Sequence, residues 1–425
     1  MNIRFLARSV AHLAALSLMA LLASCGGHGG GGATNIAYVR FINATSAGTL
    51  SVALSGSAVF NAAAPGSTSG YSSLTAGTYT VAATSSNGAL TSASQAMTFA
   101  SGDYAIIAYD RDGAIFLASL AENIVAPAAG TGTFSLANTS PDTGLLDVYV
   151  VPAGTASLAG FSPIFNTSSL GTTTLTVGST YDVYAVASGS KTDIRYKLAG
   201  LTTASTQVET LVLTGTPGGA LANGMLIIQA GAVTFSPNPF ARVRLFSALP
   251  QAGGTAIVAT VGTTTLPTVV APVQGSYTPV TGGANTYSVT VAGAAVATLP
   301  ANTFVAGGDY TILVYGSAGS PVVTVLTDNN QSAGVQANIR LVNVGVTSGG
   351  LALSDNFASP VITGVAYGTS SGYVGVPPAA SPVIQILAPS SAPLTLTAVP
   401  GLSAGEVYTI FVIDSALTYQ VVRDR

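Results

Sequence analysis

Histidine is nearly missing from this chain, and its scarcity excludes the most. The 2 histidines, His12 and His28, both precede residue 36, so nothing that reads as a folded unit contains one. Ser-His-Asp triads, Cys-His pairs and histidine-rich metal sites are excluded together. Tryptophan is absent, and the single cysteine, Cys25, lies in the same N-terminal stretch, so no disulfide frames the rest. Charged residues make up 6% and the formal net charge is −3. That leaves no basic stripe for nucleic acid, and no nucleic-acid partner is expected. No Gly-x-x-x-x-Gly-Lys run follows a strand pattern to cradle phosphate. The 15 acidic residues are scattered, where a glycosidase needs two that converge. Past the N-terminus no apolar run approaches the ~20 residues of a spanning helix. The expectation is a protein that is not an enzyme and takes no cofactor or metal.

What the chain has instead is glycine, serine, threonine and short apolar runs. Glycine reaches 49, proline 21, and hydrophobic residues make up 48%. Apolar residues alternate with threonine and serine over a few positions, which is the pattern of half-buried strands. One such strand recurs: Gly102-Asp103-Tyr104-Ala105-Ile106-Ile107, then Gly308-Asp309-Tyr310-Thr311-Ile312-Leu313. Gly405-Glu406-Val407-Tyr408-Thr409-Ile410 repeats it with one residue inserted before the tyrosine. Arginine strands recur with it at Val39-Arg40-Phe41-Ile42-Asn43, Val243-Arg244-Leu245-Phe246 and Ile339-Arg340-Leu341-Val342-Asn343. Copies about 100 residues apart are what repeated sandwich domains produce.

The first 24 residues read as an export address. Arg4 and Arg8 supply a positive start, Leu13 to Leu22 an apolar core, and Leu22-Ala23-Ser24-Cys25 a small-residue cleavage site. The segment is similar to the bacterial lipobox. That resemblance implies lipidation of Cys25 and attachment to a membrane through its acyl chains, which anchor stably when there are two or more. Gly26, rather than an acidic residue after the cysteine, implies the outer membrane. Residues 25–35 read as a Gly-rich flexible tether.

The remainder divides into four units: 36–130, 131–239, 240–335 and 336–425. The expected fold class is all-β, tandem immunoglobulin-like β-sandwich domains after a lipoprotein signal peptide. The arginine strand at Val39 to Asn43, the Ser140-Pro141-Asp142 turn, the Asp147-Val148-Tyr149-Val150 strand and the Ser-Gly-Tyr and Gly-Asp-Tyr pieces carry a family likeness. They resemble the bacterial cell-surface domain of unknown function DUF4397, best in the first two units. The resemblance implies architecture and location, and it supplies no activity and no site residues.

Three constellations are candidates for more. Arg40, Arg244 and Arg340 occur in the same three units as Asp103, Asp309 and Glu406, while the second unit has Ser135 at the arginine position and no matching acid. This pattern predicts structural ion pairs Arg40–Asp103, Arg244–Asp309 and Arg340–Glu406. Asp110-Arg111-Asp112-Gly113 reads as a hairpin turn in preference to a calcium loop, whose other ligands are missing; Ser140 to Gly144 is also a turn. Strand tyrosines such as Tyr71, Tyr79, Tyr104, Tyr277, Tyr310, Tyr373 and Tyr408 read as sandwich packing with bonded hydroxyls. The alternative is an array of carbohydrate-binding modules using exposed tyrosines. The leading expectation is a structural or adhesive envelope protein with a protein or glycan partner.

Overall fold

The computed structural model describes residues 35–425, except 46–47, 112–113, 168–170, 250–254, 271–272, 348, 390 and 398. The signal segment, Cys25 and nearly all of the tether lie outside the described residues, as do Asp112 and Gly113. The alternating pattern folds as strands throughout, and the described chain is all-β but for a 3-10 turn at Pro141–Thr143. Among the described residues eight sheets pair off around four main apolar cores, one in each of the four sequence units. Among the described residues no helix is long and apolar enough to cross a membrane.

Each sandwich is built to one plan. An opening strand (Ile36–Asn43, Thr131–Asn138, Phe240–Ser247 or Ala337–Asn343) starts the first sheet. The chain then builds the second sheet and returns in a late strand (Gly102–Arg111, Val208–Gly215, Asp309–Ser317 or Val407–Val412). The late strand lies parallel to the opening strand in all four. Such pairing is possible because the second sheet serves as the long crossover that parallel strands need. A return strand (Ala114–Ala121, Ala222–Ile228, Ser320–Asp328 or Tyr419–Arg423) then lies beside the late one. The parallel pair is not written in the sequence pattern, which registers strands without their directions.

Period two fixes which side chains enter the cores. In the first sandwich Ala37, Val39 and Phe41 face inward and meet Val52, Val81 and Ile106. In the third, Ala241, Val243 and Leu245 do the same, and in the fourth Ala337, Ile339 and Leu341. The arginines fall on the alternate positions and therefore on the outer faces of these sheets. At the strand end Asn43 and Asn343 brace the departing chain. Each amide donates to two carbonyls, those of Gly48 and Ala63 for Asn43, and of Val346 and Val365 for Asn343.

Residue contacts separate two compact units. The first sandwich runs to Ala108 and takes in Ile115–Ile124; Tyr109–Ala114 and Val125–Arg425 make up the second unit. Sandwiches two, three and four are thus joined in one body. Gly218 and Gly219 permit a close approach of two to three. A Cβ at Gly218 would stand 2.7 Å from the Asp309 carboxyl carbon, and one at Gly219 would stand 2.7 Å from the Asn330 backbone. Each inner core depends on large side chains that leave cavities when cut. Phe41→Ala in the first sandwich is expected to cost about 3–5 kcal/mol, read as a fall in the urea midpoint of that unit.

Candidate functional site: the arginine–carboxylate clusters

The outer faces of the first sheets carry the unusual chemistry. In the first sandwich Arg40 is 3% exposed and forms a two-pronged pair with Glu122, its Nε donating to Oε2 at 2.8 Å. Tyr71 lies over the guanidinium, 5.3 Å from its carbon, and its hydroxyl donates to the same Glu122 oxygen at 2.7 Å. The tyrosine comes from the Ser-Gly-Tyr piece, and the acid stands just past the return strand. The Glu122 backbone N–H bonds the Asp103 carbonyl, which places Glu122 level with the predicted acid on the adjoining strand.

The third and fourth sandwiches repeat this unit with their acids exchanged. Arg244 is fully buried; its Nε donates to Thr311 Oγ1 at 2.8 Å and its second nitrogen to Asp424 of the fourth sandwich at 2.6 Å. Arg340 is 1% exposed; its Nε donates to Thr409 Oγ1 at 2.8 Å and it pairs with Asp328 of the third. Thr311 and Thr409 in turn donate to Asp328 and Asp424. Tyr277 covers Arg244 at 4.6 Å and Tyr373 covers Arg340 at 4.8 Å. The Tyr277 hydroxyl also donates to Asp328 at 2.6 Å. Between the two clusters lies an apolar patch in which the rings of Phe246 and Phe411 stack at 3.8 Å among Leu313, Val342 and Val422. One surface meets its own counterpart, the reciprocity of an isologous interface realised inside one chain.

Electrostatics follow from burial. Desolvation alone would make Arg244 and Arg340 release their protons more readily, but the charge of Asp424 on the first and of Asp328 on the second reverses this and raises both. Asp328 is held below the usual carboxylate range: burial opposes ionisation, and the charges of Arg340 and Arg244 overcome it.

The predicted partners need correction. Asp309 pairs with Arg242, not Arg244, at 2.6 Å. Glu406 pairs with Arg423 at an exposed site and not with Arg340. For Arg40 the ion-pair partner is Glu122 in place of the expected Asp103. Register supplies the reason. In the parallel pair Asp309 stands opposite Arg242, and Thr311 stands opposite Arg244. Asp103 likewise stands opposite Tyr38. In the fourth sandwich the inserted Val407 takes that place opposite Asn338, so Glu406 is one residue out of step and on the other face. The acids that serve the arginines end the hairpins, and their recurrence at the end of each return strand or just after it is the signal that could have found them.

Sandwich two shows what replaces the cluster. Ser135 stands opposite Thr210, and their hydroxyls bond at 2.9 Å where sandwiches three and four hold arginine and threonine. Glu209 occupies the register place of the inward tyrosines Tyr104, Tyr310 and Tyr408, whose hydroxyls accept the N–H groups of Ala100, Val305 and Ser403. It is 1% exposed and neither carboxylate oxygen has a hydrogen-bond partner. Burial pushes its pKa up to about 7, and the neighbouring Thr203 hydroxyl offsets only part of this.

The remaining candidates also find structural places. Asp142 of the Ser-Pro-Asp turn is 3% exposed and accepts from Arg111, Arg425 and the Ser332 backbone N–H at 2.8–3.1 Å. This is far more than the turn expected from composition. Tyr79, Tyr184 and Tyr287 donate to backbone carbonyls. Among the described residues no group of three or more His, Cys, Asp or Glu side chains could hold a metal ion.

The fold and these clusters define a tandem β-sandwich protein whose buried charges hold strands and sandwiches together. Residues 37–149 match the family model of the domain of unknown function DUF4397, spanning the first sandwich and entering the second. No curated protein matches the chain. Among solved structures it is similar to the product complex of a multi-modular glycogen-degrading pneumococcal virulence factor, SpuA. That likeness has 9% identity and a TM-score of 0.16, covering 62% of this chain and 37% of that one; it is too slight to carry an argument.

Two outcomes test the site. Asp328→Ala strands the Arg340 charge in the interface and should cost about 3–5 kcal/mol, whereas exchanging Asp328 and Arg340 together for methionine should cost much less; urea unfolding of the two variants checks it. Glu209 prefers its protonated form in the fold, so its contribution is greatest at acid pH. Stability should fall as pH rises from its ordinary 4.5 towards about 7. Glu209→Gln should flatten that window in thermal melts across pH.

Proposed function

We propose that this chain is a lipid-anchored envelope protein, held at the outer membrane through acyl groups on Cys25, whose sandwiches serve as a structural or adhesive module. The observation that carries this reading is the employment of charge. In a chain with 6% charged residues, Arg40, Arg242, Arg244 and Arg340 are committed to acids in buried pairs. Reacting groups in an enzyme are instead poised against a cleft. A body so braced suits a spacer or a presenting surface. Its Ser/Thr-rich faces and strand edges offer hydroxyl and backbone contacts to a protein or glycan partner.

The tyrosines weigh against the alternative carbohydrate platform. Tyr71, Tyr277 and Tyr373 cover arginines, and Tyr104, Tyr310 and Tyr408 are inward with bonded hydroxyls. Metabolic labelling with a fatty-acid probe tests the anchor. The wild-type chain should incorporate label and fractionate with membranes, and Cys25→Ser should lose both. An unlabelled wild-type chain rejects the anchor, and crosslinking on intact cells that captures no envelope partner rejects the interaction role.

A further inference from the structure

The return strand stands where each first sheet could take one strand more, and the four copies treat that edge differently. In sandwich two the segment Val233–Ser236 pairs antiparallel with Gly224, Met225, Leu226 and Ile227 and covers it. In sandwich three Pro321 removes a donor near the start of the edge, and at its far end the Thr327 carbonyl accepts from an Arg340 nitrogen at 3.0 Å. In sandwich four the strand has 5 residues and ends on Arg423. Sandwich one has none of these devices. Its return strand, Ala114–Ala121, runs for 8 residues without charge, proline or glycine, and among the described residues no strand pairs with its outer side. An undefended edge of this kind is a template for another strand.

Register decides what that edge presents. The Glu122 N–H bonds the Asp103 carbonyl, so the late and return strands run antiparallel with these two opposite. Alternation then turns the N–H and C=O groups of Ile115, Leu117, Ser119 and Ala121 outward. By the same count, with Asp309 opposite Asp328, Pro321 of sandwich three takes the place of Ile115. About its centre, Ala118, the strand complements itself. An antiparallel copy sets Leu117 against Ser119 and Ile115 against Ala121, large against small on the side where Ile115 and Leu117 enter the core. On the other side it sets Phe116, 40% exposed, against Leu120, with Ala118 against Ala118 on the axis. A strand without charge brings no like charges together in such a pair.

We propose that two copies of this chain associate edge to edge through Ile115–Ala121, joining their first sheets into one across a two-fold axis at Ala118. The association depends on strand pairing alone and stands whether or not Cys25 carries lipid.

Sedimentation of the purified full-length protein across a concentration series should show a reversible dimer. Ser119→Pro deletes an outward donor in each copy and no bond within the hairpin, a change that edge strands tolerate. It should weaken the dimer at least about tenfold while a thermal melt shows the fold intact. If that variant does not fold, Ala118→Lys keeps every backbone donor, sets like charges opposite each other and should weaken the dimer as much. In a Cys25→Ser chain, Ala118→Cys should form an intermolecular disulfide on oxidation, since the two Cα atoms would stand about 4.5 Å apart. Thr324→Cys, at the same register place in sandwich three, should not. A monomer at every concentration, a dimer unchanged in the folded variant, or equal crosslinking at the two positions overturns the proposal.

Discussion

A guanidinium taken out of water must bring its counter-charge with it. A buried arginine without a matched acid is severely destabilising, whereas one held by a carboxylate, a hydroxyl and an aromatic face is tolerated. Three of the four sandwiches satisfy that constraint with the same set: an arginine from the opening strand, an acid just after or ending the return strand, and the tyrosine of a Ser-Gly-Tyr or Gly-Ser-Tyr piece. The set works because the first sheet puts opening, late and return strands side by side, bringing residues far apart in sequence onto one outer face. Such pairs are weak evidence for net stability, since an apolar replacement of similar volume can do as well. Their contribution here is to specify which surface meets which.

Much of the architecture was legible in the residues. Alternation at Ala37, Val39 and Phe41 announced half-buried strands, and the recurring arginine and tyrosine strands announced copies. The unusual residues were legible too, since Arg40, Arg244 and Arg340 stand out in a chain so poor in charge. Their partners were hidden for a physical reason. An acid next to a tyrosine in the late strand looks like a partner in sequence, yet the parallel register sets it two residues away from the arginine. Asp424 is 180 positions from Arg244, and no local pattern reveals that two sandwiches trade acids. Asp142 illustrates the same limit: turn chemistry explains Ser140 to Gly144 and says nothing of the arginines converging on it.

Divergence among the copies is equally informative. Sandwich two keeps the strand plan but replaces the cluster by a neutral Ser135–Thr210 contact and the inward tyrosine by Glu209. One blueprint therefore tolerates different polar interiors, provided the apolar alternation is retained. The altered copy itself carries the Gly218-Gly219 loop and the Asp142 hub, so it contributes joints rather than a matching face.

The traded acids also constrain how such a chain can be edited over time. Deleting or duplicating sandwich three or four singly would orphan a buried arginine and a buried aspartate at once, together with one half of the Phe246–Phe411 stack. Removing or adding the two together keeps the traded Arg244–Asp424 and Arg340–Asp328 pairs matched. For this part of the molecule the heritable module is therefore the couple, and gains or losses of copies should proceed by twos.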